Sequence, residues 1–121
     1  MKKTVIIGAS SNPNRYAFRA ASDLNRHHHE TILLSIHPGE ISGKKFLLLS
    51  DKPQLESIDT VTMYINPIHQ AEWIEYILSL SPRRIIFNPG TENTAFAKRA
   101  SEQGIETIAA CTLVMLATNQ Y

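Results

Sequence analysis

Short apolar runs rich in β-branched residues recur along this chain, and most are followed by a stretch of helical periodicity. The runs are TVIIG (4–8), ETILLSI (30–36), TVTMYI (60–65), RIIFN (84–88) and ETIAA (106–110). Continuous apolar character over so few residues is the pattern of a strand covered on both faces. After the first run, Ala17, Ala20, Ala21 and Leu24 recur at i, i+3, i+4 and i+7. Three small residues on that helical face suit close packing against a sheet. Pro67 opens a second helical segment to about residue 80, with Ile74, Ile77 and Leu78 facing inward. Residues 91–103 read as a third helix, stopped by Gly104, and 111–119 as a short last one. Residues 37–57 carry two prolines and two glycines and read as a loop with an extended piece over 46–49.

Strand and helix alternating at this spacing predict a parallel sheet with helices on both faces. The expectation is one α/β domain over residues 1–121, Rossmann-like and doubly wound, with a five-stranded parallel sheet. A chain of 121 residues has room for one core. No stretch approaches the ~20 apolar residues that cross a bilayer. The opening MKKTVIIGASS is too short in apolar character for a secretory signal, and one cysteine permits no intrachain disulfide. A net charge of +1 offers no overall field for nucleic acid or a membrane surface. A cytoplasmic protein is expected.

Four of the six prolines follow a strand closely, in Asn12-Pro13, His37-Pro38, Asn66-Pro67 and Asn88-Pro89. In an open parallel sheet the strand C-termini share one edge, where ligands bind. Stiff and capping residues therefore gather on that rim. The first loop is the most informative. Gly8 permits a sharp turn, and Ala9 and Ser10 are small enough for a ligand to approach the main chain. The N–H groups at the start of the next helix favour an anion, with Ser10, Ser11 and Arg15 as further donors. GASSNP lacks the three glycines of the dinucleotide fingerprint, and the second strand ends Ser35-Ile36-His37-Pro38 without the acidic residue that holds an NAD ribose. With Lys44 and Lys45 nearby, an adenosine ligand bearing an extra ribose phosphate fits, either coenzyme A or NADP.

VIIGASSNPNRYAFRA, HPGEISGKK, VTMYINP, IIFNPGTEN and AACTLVML, in this order, resemble the YccU-like family of small CoA-binding proteins. That family is similar to the nucleotide-binding domain of succinyl-CoA synthetase α chains. The resemblance implies that Gly8, Ala9 and Ser10 form the pyrophosphate loop. It implies that His37, Pro38 and Lys44 lie beside the adenosine, although Glu40 in the same loop would repel a phosphate. Tyr64, Ile65 and Asn66 would underlie the adenine or pantetheine, and Asn88, Pro89 and Gly90 would close the far side of the groove.

Catalytic groups are not evident. His27, His28 and His29 are consecutive and cannot share one helical face as metal ligands would. His69 reads as a surface residue, and His37 has no obvious partner acid or serine. Tyr16 and Tyr64 either stack on a base or pack. Cys111, opening the last helix, is either a small buried residue or a thiol near the end of a bound pantetheine. The expected function is a non-catalytic coenzyme A or acyl-CoA binding protein, with room for a protein partner. The alternative is an NADP(H)-binding redox protein or sensor.

Overall fold

Strand β1 (Thr4–Ile7) is buried at every position and is flanked on both sides by parallel neighbours. The computed structural model describes residues 1–121. Helix α1 (Tyr16–Arg26) leads from β1 to β2 (Thr31–Ser35), which pairs with β1 in the register Ile7↔Leu34. The chain then returns to the other side of β1 with β6 (Thr60–Met63), in the register Ile7↔Met63. Strands β7 (Arg84–Phe87) and β8 (Glu106–Ala109) continue outward on that side. The strand order therefore reverses at β1, which places the topological switch point between β1 and β6.

Alternation along each strand sends side chains to two cores. Val5, Ile7, Val61, Met63, Ile85 and Phe87 meet Ile77 of α3 (Ile74–Ser79) and Phe96 and Ala100 of α4 (Thr94–Glu102). Ile6 and Leu33 meet Ala21 and Leu24 of α1 and Leu116 of α5 (Thr112–Ala117). The Phe87 and Phe96 rings stack edge to face at 5.3 Å. Each such fully buried aliphatic side chain stabilises by about 1.5–3 kcal/mol relative to exposure. None of the helices is long and apolar enough to cross a membrane.

The sheet has six strands, not five, in the order β5 (Leu47–Leu48)-β2-β1-β6-β7-β8. The added strand, β5, pairs with Leu34 and Ser35 at the edge. Two residues are too few to show a period, so only an extended piece was readable there. Before it, β3 (Glu40–Ile41) and β4 (Lys44–Lys45) form a hairpin, turned by Ser42 and Gly43 at φ +50° and +80°. The expected helix to residue 80 is interrupted: α2 (Pro67–Gln70) passes through a 3-10 turn (Ala71–Trp73) into α3. Helix α4 starts three residues later than expected, because Asn93 Oδ1 caps it by accepting from the Phe96 N–H at 3.1 Å.

Candidate functional site

The ends of β1, β2, β6 and β7 enclose a cleft of about 580 Å³ on the C-terminal edge of the sheet. Gly8 turns the chain there with φ +102°. The Gly8 and Ala9 N–H groups both donate to Leu34 O at 2.9 Å, which ties the loop to β2 and removes these two as ligand donors. The donors begin one residue later. The N–H groups of Ser10, Ser11, Tyr16 and Ala17 have no acceptor in the chain, and the last two open α1. Between them the chain closes on itself: Ser10 Oγ accepts from the Asn12 N–H at 3.1 Å, and Asn12 Oδ1 from the Asn14 N–H at 2.9 Å. Asn12-Pro13 thus builds a turn before the helix, and Arg15 takes the N-cap position with no side-chain capping bond.

Around this loop the cleft takes Tyr16 and Ala17 from α1, then Ser35 at the end of β2 and Ile36 and His37 after it. Tyr64, Ile65 and Asn66 follow β6, and Asn66 Oδ1 caps α2 by accepting from the His69 N–H at 3.2 Å. That cap places His69 on the lining. Pro89, Gly90 and Thr91 complete it after β7. Arg15, His37 and His69 bring cationic or cation-forming groups, and no carboxylate lines the cleft. The one acid at its edge, Glu92, accepts from the Gly90 N–H at 2.8 Å.

Tyr64 carries the most displaced titration of the site. Burial pushes its phenol up to about 12, with Cys111 and Tyr121 adding to the shift and the Thr112 and Thr62 hydroxyls opposing it. Its buried Oη lacks a hydrogen-bond partner, and the neighbouring Thr62 and Thr112 hydroxyls bond each other at 2.8 Å.

Eleven of the residues singled out from sequence line the cleft: Gly8, Ala9, Ser10, Arg15, Tyr16, His37, Tyr64, Ile65, Asn66, Pro89 and Gly90. Lys44 does not. Its ammonium is bound to the carbonyl and hydroxyl of Thr31, at the start of β2 and far from the strand C-termini, because the β3–β4 hairpin folds it back. Asn88 is 2% exposed and is a structural staple instead. Its Nδ2 donates to Thr62 Oγ1 at 2.6 Å and Met63 O at 2.8 Å, and its Oδ1 accepts from the Thr112 N–H at 2.8 Å. Ser11 and Pro38 are exposed outside the lining, and Cys111 is the half-buried N-cap residue of α5. Glu40 stands in β3, also off the lining.

Sequence reading missed Ala17, Ser35, Ile36, Thr91 and His69. Ala17 read only as a packing residue. His69 was recoverable from its spacing, since a residue three past an Asn cap stands in the first turn at the rim.

A family model described as a CoA binding domain matches residues 2–117. Among solved structures, an uncharacterized protein shares 49% identity with a TM-score of 0.96, covering 100% of this chain and 98% of that one. A hypothetical protein from Pyrococcus horikoshii OT3 is 23% identical with a TM-score of 0.83, over 98% of this chain and 83% of its own. Cell-free ID.343 from Thermus thermophilus is 19% identical with a TM-score of 0.82, over 99% and 90%. The last two share the fold. No curated protein matches the sequence.

Proposed function

Because the chain belongs to the CoA binding domain family, we propose that it holds coenzyme A or an acyl-CoA in this cleft without performing chemistry on it. The observation that carries the reading is the set of unpaired N–H groups at Ser10, Tyr16 and Ala17, all residues of the lining, beside Arg15 at the switch point. Free main-chain donors at a helix N-terminus suit a pyrophosphate, and the helix dipole adds to the attraction. The absence of carboxylates from the lining keeps a multiply charged ligand from being repelled.

The residues present fit the cofactor. The Tyr16 ring, 65% exposed at the mouth, offers a stacking face for adenine. His37 and His69, both on the lining, would meet further phosphate oxygens. The pantetheine would run past 64–66 and 89–91, where Tyr64, Ile65 and Pro89 are largely apolar.

Support for a binding role without catalysis comes from the hydroxyls of the cleft. Ser10 accepts from Asn12 N–H, Ser35 accepts from His37 N–H, and Thr91 donates to Asn88 O. None of the three is hydrogen-bonded to a side-chain base, whereas an activated nucleophile is held by one.

Titration calorimetry with coenzyme A, NADP and NAD at fixed salt tests the reading, repeated on Ser10→Glu. The expected result is selective coenzyme A binding that the added carboxylate abolishes. Preference for NADP would replace the reading with a redox role. Absence of binding by all three would overturn it.

A further inference from the structure

Gln70, the last residue of α2, is fully buried, and its side-chain amide joins two separate lips of the cleft. Nε2 donates to Ile65 O at 2.7 Å and to Thr91 O at 2.8 Å. Oε1 accepts from Asn93 Nδ2 at 3.0 Å, and Asn93 in turn caps α4. Ile65 and Thr91 both line the cleft, one after β6 and the other after β7. Neither carbonyl is part of the sheet ladder, and a buried carbonyl without a donor is costly. One primary amide supplies a donor to each.

We infer that Gln70 is a positioning residue that sets the spacing between the 64–66 and 89–91 lips, and thereby the path of the ligand's pantetheine arm. The inference rests on the proposed coenzyme A site for its ligand, though its geometry stands apart from it. Only an amide of this length has two N–H groups and a carbonyl for the three partners. A carboxylate would face two carbonyls with no proton to give, and asparagine is one methylene shorter.

The test compares wild type with Gln70→Glu and Gln70→Met. Hydrogen exchange is followed in the free protein, and binding of coenzyme A and of its head fragment, adenosine 3′,5′-bisphosphate, is measured by calorimetry. In both variants the amides of 64–66 and of Gly90 and Thr91 are expected to exchange faster together, with β1 and α1 unchanged. Coenzyme A affinity should fall about tenfold, as for a lost buried donor, while that of the fragment stays within about twofold. On acidification Gln70→Glu should partly regain affinity relative to wild type, as its carboxyl becomes a donor, and Gln70→Met should not. Uniformly faster exchange, unchanged lips, or equal losses for both ligands would overturn the inference. Wild-type protein that fails to bind coenzyme A would overturn the proposed function instead, and the exchange pattern would still decide the role of Gln70.

Discussion

Gly8 approaches Ile65 so closely that a Cβ added to it would lie 2.9 Å from Ile65 Cγ1 and 3.0 Å from the Tyr64 carbonyl. Much of that obstacle is main chain and cannot rotate away. The left-handed φ of +102° adds a second penalty for any side chain. Gly8 is therefore where the β1 and β6 ends are pressed together to form the floor of the cleft.

Gly8→Ala should cost roughly 2–4 kcal/mol, combining overpacking with backbone strain. Urea unfolding checks this. A loss below about 0.5 kcal/mol, the range of an ordinary surface change, would show that the loop relaxes freely.

Arg15→Ala separates binding from stability. Arg15 is exposed, caps nothing with its side chain and forms no ion pair. The melting temperature should stay unchanged, while coenzyme A affinity falls about tenfold with loss of a charge-assisted contact. The salt dependence of binding should also flatten. Unaltered affinity would remove Arg15 from the phosphate site.

Asn88→Leu should be among the most damaging changes outside the apolar core. It leaves the Thr112 N–H and the Met63 carbonyl without the side-chain partner that now joins β6, β7 and α5. The expected loss is about 2–4 kcal/mol by thermal or urea unfolding. A near-neutral result would mean that these groups find other partners.

Tyr64 predicts the alkaline limb of stability. Burial raises its folded pKa from 10.0 to about 12, so between these values the folded chain keeps a proton that the unfolded chain has released. Its contribution is complete below pH 10 and is lost as pH rises through about 12. The size of that loss is on the order of 3 kcal/mol. Tyr76 and Tyr121 are also shifted upward by burial, so the measurement is the difference between wild type and Tyr64→Phe from pH 9 to 12. At pH 7 the variant should be neutral or slightly more stable, since it removes a buried hydroxyl without a partner. Parallel curves would place the phenol in contact with solvent.

Local chemistry carried much of the fold and part of the cleft. The order of the long strands and helices is written in periodicities within single segments, as in Val5 to Ile7 and in the Ala17, Ala20, Ala21, Leu24 face. Gly8 and Asn66-Pro67 announce a sharp turn and a helix start through their own backbone preferences, and the turn and the cap stand there. Other assignments depended on partners distant in the chain. Proximity in sequence suggested that Lys44 meets the ligand, yet a two-residue hairpin turns it to Thr31. Asn88 stands at a strand end like Asn66, but its amide is drawn inward by Thr62, Met63 and Thr112. Ala9 has the small side chain that a phosphate loop requires, while pairing with Leu34 removes its N–H and moves the open donors to Ser10 and beyond. A residue's torsional and burial preferences are its own and can be read one position at a time. The partner of each polar group is settled only when the strands take their order, because hydrogen bonds form between whichever groups the packed sheet brings within reach.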